Sequence, residues 1–178
     1  MAGFFLFKKN PARWFFRQPD KKWKGAGVSI PVFSLRSQNS FGIGEFTDIK
    51  YLADWAQNAG LKLIQLLPIN DTIATNSWLD SYPYAAISAF ALHPIYINLA
   101  EVAGTKYAKK LSQLRKVQAQ LNEKSVVDYE AVLQIKWEFL WSLYLEMGEE
   151  CMASESYGKF FQENKNWLKS YEIGRAHV

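Results

Sequence analysis

The sequence predicts an α/β fold, and three observations carry that prediction. Residues 28–35 (VSIPVFSL) and 61–67 (LKLIQLL) are short apolar runs rich in β-branched and aromatic residues, which is how strands covered on both faces read. Between them Ile49, Leu52, Ala53 and Ala56 recur at the spacing of one helix face. Strand, helix and strand within about forty residues make a βαβ unit, which joins its strands in parallel.

Each element carries its own start and stop signals. Pro31 is a blemish in the first run, because it cannot donate to a sheet ladder. A polar, glycine-punctuated loop follows over residues 36–44. Thr47 is placed to cap the helix, Asp48 sits in its first turn, and Gly60 suits its left-handed end. Pro68 stops the second strand. The segment from there to Leu99 has no helical period and is dense in Asn, Asp, Ser, Tyr and Pro; loops of this length in compact domains are usually functional. Beyond Glu101 the pattern turns helical. Leu111, Leu114 and Leu121 mark one amphipathic helix. Val132, Ile135, Phe139 and Leu143, with Trp137 and Trp141 beside them, mark a second, opened by Asp128, and a shorter helix runs from Ser154 through Phe161. Helices in succession after a βαβ start indicate an inserted helical subdomain.

Composition excludes several classes of chemistry. The chain of 178 residues has the size of one domain, and its 49% hydrophobic and 21% charged content is that of a globular protein. No apolar run approaches the ~20 residues of a membrane span. The greasy start from Met1 to Phe7 is closed by Lys8 and Lys9, the wrong order for a secretory signal, so a cytoplasmic location is expected. Cys151 has no cysteine to pair with, and with only His93 and His177 beside it as soft ligands no metal or cofactor is expected. No nucleophile motif surrounds either histidine. The net charge of +4 is concentrated before residue 25, where Lys8, Lys9, Arg13, Arg17, Lys21, Lys22 and Lys24 face only Asp20. Basic residues interleaved with aromatics can hold single-stranded nucleic acid. No nucleic-acid module accompanies them, so residues 1–24 read as an irregular, solvated lead-in whose aromatics pack on the domain.

In parallel barrels and doubly wound sheets, sites form at the carboxyl ends of strands. That geometry nominates residues 36–45 and 70–84. Gly42-Ile43-Gly44 lacks the third glycine of a dinucleotide fingerprint and reads as a tight turn feeding the helix. In the second loop Trp78, Tyr82 and Tyr84 offer flat faces near Asp71, Asp80 and Ser81, a combination that suits the C–H face and hydroxyls of a pyranose. Pro83 stiffens the loop. The same aromatics could equally bury the loop against the domain. The two aspartates could be a glycosidase pair or, more commonly, could cap turns.

The segments GVSIPVFSLRS, FGIGEFTD, LKLIQLLPIND and DSYPYAAISAFALHPIYINL together resemble the first part of the 4-α-glucanotransferase barrel of glycoside hydrolase family 77. VFSLRS, PINDT and FQENKNWLKSY are similar to the plant cytosolic branch, in which extra helices interrupt the barrel after its second strand. The resemblance implies the beginning of a TIM (β/α)8 barrel over residues 25–100 and a helical insertion over residues 101–171. It implies a retaining transfer of α-1,4-glucan segments or glucosyl units from maltose or malto-oligosaccharides to glucan or heteroglycan acceptors, without cofactor, metal, membrane or nucleic acid. Tyr84 matches the tyrosine that packs on the sugar beside the scissile bond, Tyr82 a neighbouring acceptor-side position, and Asp80 the aspartate leading that loop. The catalytic aspartate, glutamate and stabilising aspartate of the family match no position here and are expected downstream. The chain thus reads as an amino-terminal fragment of the transferase, the alternative being a non-catalytic glycan-binding module. Residues 172–178 (EIGRAHV) resemble an in-frame translation of a sequencing adapter and are expected to lie outside the fold.

Overall fold

The computed structural model describes residues 4–6 and 24–175. Its sheet has three strands in the order β1-β3-β2: β1 is Phe4–Leu6, β2 is Gly27–Ile30 and β3 is Leu63–Leu66. β2 and β3 run parallel, Gly27 opposite Leu63 through Ile30 opposite Leu66, joined by the helix α1 (Asp48–Asn58). The βαβ expectation holds. The strand extent does not: β2 ends before Pro31, and residues 32–34 form a single 3-10 turn. Burial along β2 alternates, because only one of its faces is covered, so the run is not a strand buried on both sides. β1 corrects the irregular reading of the lead-in, since it pairs antiparallel with β3, Phe5 opposite Ile64. The basic stretch from Lys8 to Trp23 lies outside the described residues.

Helix α1 buries Leu52 and Ala56 as its period requires, and Gly60 closes it with φ of 73°. The cap differs from expectation. Thr47 is itself helical and makes no side-chain cap bond; Asp48 turns back instead, its Oδ2 accepting from the Glu45 N–H at 2.7 Å and the Ser40 hydroxyl at 2.8 Å. This tightens the turn that opens at Gly42 (φ 73°). At Gly44 a Cβ would stand 1.9 Å from the Val32 carbonyl oxygen, so the 3-10 turn after β2 and the glycine turn touch backbone to backbone.

Five helices complete the described chain: α2 (Leu99–Ala103), α3 (Ala108–Ser112), α4 (Arg115–Glu123), α5 (Tyr129–Met152) and α6 (Glu155–Arg175). The single helix expected around Leu111, Leu114 and Leu121 is broken in two. Its leucines serve different cores: Leu121 joins the cluster of Ile43, Ile64, Leu66 and Val132, whereas Leu111 and Leu114 pack against Phe41, Leu99 and Phe139. Asp128 caps α5 as predicted, accepting from the Ala131 N–H at 3.1 Å. The short helix predicted to end at Phe161 runs to Arg175, through the first four of residues 172–178. No helix among the described residues is long and apolar enough to cross a membrane.

One buried ion pair joins these parts. The Lys136 ammonium, on the core face of α5, meets Glu45 Oε1 at 2.5 Å with both side chains almost wholly enclosed. It also donates to the carbonyls of Ile95 at 2.6 Å and Ile97 at 2.8 Å, which uses all three of its donors. Glu45 accepts in addition from the Phe41 N–H and, at 2.6 Å, from the Asn98 amide. Burial pushes the lysine below its ordinary range and the glutamate above its own, and in each case the partner's opposite charge works against the shift.

Removing one partner strands the other charge in the core. Lys136→Met is expected to lower the unfolding free energy by roughly 3–5 kcal/mol in urea titrations, and the double variant Glu45→Gln/Lys136→Met to recover much of that loss. A double variant as unstable as the single one would contradict this account.

Candidate functional site

A cleft of about 380 Å³ opens where the chain leaves the carboxyl ends of β2 and β3. Phe33, Ile43, Pro68, Ile95 and Tyr96 give it an apolar floor and wall; Asn70, Thr72, His93, Tyr129, Asp80 and Ser81 add polar groups, with Trp78 and Pro83 at the loop side. This is the usual composition of a small-molecule site, mostly apolar with a few convergent polar atoms.

The polar groups are ordered by one another. The Ile95 N–H donates to His93 Nδ1 at 3.1 Å, so the neutral imidazole carries its proton on Nε2, 2.8 Å from the Tyr129 hydroxyl. Thr72 bonds that phenol in turn, and its own hydroxyl donates to the Asp80 carbonyl at 2.5 Å. Burial pushes the Tyr129 phenol up, reinforced by the Asp80 and Asp71 carboxylates, and burial alone pushes Tyr96 up to about 12. Both phenols are therefore protonated at neutral pH.

The loop from Asn70 to Tyr84 is built from inside. Burial alone would raise the Asp80 carboxyl, but hydrogen bonds outweigh it and hold the group below the usual aspartate range. The Thr75 N–H donates at 2.9 Å and its hydroxyl at 3.0 Å. Asp71 is likewise buried, accepting from the Ile73 N–H at 3.0 Å and from the Tyr171 hydroxyl of α6. Both aspartates thus orient turns, the commoner of the two roles considered for them. Phe90 stacks on Trp167 at 5.6 Å, a second tie between this loop and α6.

The tyrosines behave differently. Tyr82 and Tyr84 are each 61% exposed, their ring centres 5.5 Å apart and their planes 49° apart. They flank Pro83, which lines the cleft. Trp78 is also exposed, its backbone N–H held by Glu130 at 3.1 Å. So Asp80 lies inside the loop wall and the two rings outside it. The nominated range 70–84 contains Asn70 and Thr72 without singling either out, and Tyr129 lies outside both nominated ranges. Their signal was weak: polar residues just past a strand end, and one tyrosine after a helix cap far along the chain.

The family described as 4-alpha-glucanotransferase, glycoside hydrolase family 77, matches residues 30–175. The chain is 41% identical over 152 residues to 4-alpha-glucanotransferase DPE2 of Oryza sativa subsp. japonica, covering 85% of this chain and 16% of that protein. It is 35% identical over 153 residues to a 4-alpha-glucanotransferase of Chlamydia caviae and 34% over 155 residues to one of Chlamydia pneumoniae, in each case 84% of this chain and 28% of the relative. The chain therefore spans well under a third of the length of these relatives.

The depressed Asp80 carboxyl sets a pH dependence. A folded-state pKa below the unfolded one stabilises at pH above the unfolded value, and that contribution fades as pH falls through the folded value. The stability difference between wild type and Asp80→Asn is expected to be constant near neutrality and to shrink on acidification below about pH 4, read from urea midpoints. A difference unchanged down to pH 3 would exclude a charged Asp80 as the loop's anchor.

Proposed function

The chain belongs to the 4-alpha-glucanotransferase family, and on that premise we propose that it is the amino-terminal part of an enzyme moving α-1,4-glucan segments or glucosyl units between sugar chains. Maltose and malto-oligosaccharides are the donors, and glucans or branched heteroglycans the acceptors. The parallel pair β2 and β3 begins a (β/α)8 barrel, and the helices after Leu99 form an insertion following its second strand. The setting is the cytoplasm.

The observation that carries this reading is the exposed, tilted pair Tyr82 and Tyr84 beside a cleft at the strand ends. A malto-oligosaccharide bends from one glucosyl unit to the next, and two tilted rings can each take the apolar face of one unit. Tyr84 takes the sugar next to the bond being exchanged, and Tyr82 the acceptor side. Asp80 contributes by fixing the loop that carries them. The cleft's protonated phenol and amide groups take sugar hydroxyls. The chemistry is a double displacement: an aspartate displaces the leaving glucan, whose oxygen is protonated by a glutamic acid, and a hydroxyl of a second glucan then breaks the glycosyl ester as the glutamate removes its proton. No residue of this chain matches those carboxylates, so residues 1–178 bind sugar without transferring it.

Titration with maltoheptaose, followed at the Trp78 indole N–H resonance, is expected to saturate. Tyr84→Ala should weaken it about three- to tenfold, the worth of one aromatic face. Incubation of the chain with maltotriose should yield no new oligosaccharides. Transfer by this polypeptide, or a Tyr84→Ala titration equal to wild type, overturns the assignment.

A further inference from the structure

Helix α5 is apolar on two faces, and only one of them meets the core. Val132, Phe139 and Leu143 are buried, whereas Trp141, Tyr144 and Leu145 on the outer side are 59%, 48% and 69% exposed. The Trp141 and Tyr144 rings lie side by side, centres 5.3 Å apart and planes 29° apart. Gly148 makes this possible. A Cβ there would stand 2.7 Å from Cδ2 and 2.8 Å from Cε2 of Tyr144, so the ring rests on bare helix backbone and any other residue would lift it. Glycine is a poor helix former, and its use inside a long helix calls for a packing reason of this kind.

Charge around the rings narrows the ligand. Residues 137–152 contain no lysine or arginine, but hold Glu138, Glu146, Glu149 and Glu150. Lys110 of α3 is taken up by Glu146, so the named carboxylates outnumber that counter-charge and a polyanion or an anionic membrane meets a net negative face. A neutral polyol fits it: apolar C–H faces lie on the rings, and hydroxyls donate to neighbouring carboxylates such as Glu138, which already accepts from the Gln134 amide at 2.9 Å. We propose that Trp141 and Tyr144 form a second malto-oligosaccharide platform on the outer face of α5. The choice of an α-glucan rests on the reading of the cleft given above. Trp141 lies twelve residues along α5 from Tyr129, about 18 Å of helix axis, and on the face turned from the core, so the platform is separate from the cleft. A long glucan held there is kept at high local concentration near the cleft.

The two sites carry separate reporters. With indole-¹⁵N tryptophan and maltoheptaose, the Trp141 N–H, assigned by its loss in Trp141→Ala, is expected to shift saturably. Tyr144→Ala and Gly148→Ala should each weaken that titration at least about threefold while the Trp78 titration stays unchanged. Both substitutions face solvent or favour helix, and far-UV circular dichroism checks the fold. A still Trp141 resonance with a titrating Trp78 overturns the platform and leaves the cleft standing. A moving Trp141 with a still Trp78 does the reverse, and silence at both refutes both. A Trp141 shift that follows protein concentration instead of sugar assigns the face to self-association and also overturns the proposal.

Discussion

The salt bridge between Lys136 and Glu45 is the constraint on which the described structure turns. Three segments far apart in sequence meet at it: the turn before α1, the strand of chain at Ile95–Asn98, and the middle of α5. A charge with so little access to water is tolerated only when each of its hydrogen-bonding positions is filled, and here the lysine has three acceptors and the glutamate three donors. Such a cluster adds little net stability over apolar packing. What it does is permit one arrangement, because a shift of α5 by a single residue would leave ions unpaired. The floor of the cleft, Ile43, Ile95 and Tyr96, belongs to the two segments that the pair clamps.

From that floor the order passes outward through polar contacts. The residue pair His93 and Tyr129 links the Ile95 segment to the first turn of α5, and Thr72 carries the link to the Asp80 backbone. Asp80 then gathers the Thr75 turn, so the two exposed tyrosines stand on a loop whose interior is fully bonded. No buried side-chain polar atom among the described residues lacks a partner. Any ligand of these rings benefits from such order, since a ring already held loses less freedom on binding than one that must first be ordered.

How much of this could be read from sequence depended on distance along the chain. Local signals served where they were read as such: Pro68 stopped β3, Ile49 to Ala56 defined the α1 face and Asp128 opened α5, whereas Pro31, taken as a blemish within a longer run, ends β2. Long-range pairings were out of reach. Lys136 falls on the core stripe between Val132 and Phe139, an anomaly visible in the sequence, but nothing there names Glu45 as its partner. The length of α6 was hidden by Asn164, a polar residue on the inner stripe of Phe161, Leu168 and Tyr171; it is accommodated because it bonds the Phe160 carbonyl and the Trp167 indole. Thr47 failed as a cap since Asp48, one residue on, could reach two donors at once. Asp80 was read as the aspartate leading that loop, and its hydrogen bonds to Thr75 became visible only when Thr75 was folded over it.

The docking of α6 on the tyrosine loop, through Tyr171 on Asp71 and Trp167 on Phe90, bears on modularity. The helical segment is not independent of the loop that follows β3, because its last turns hold Asp71 and Phe90 at the two ends of that loop. A protein engineer who moved residues 70–90 alone onto another scaffold would transplant the rings without their support. The structural unit is the loop together with the last turns of α6 that brace it.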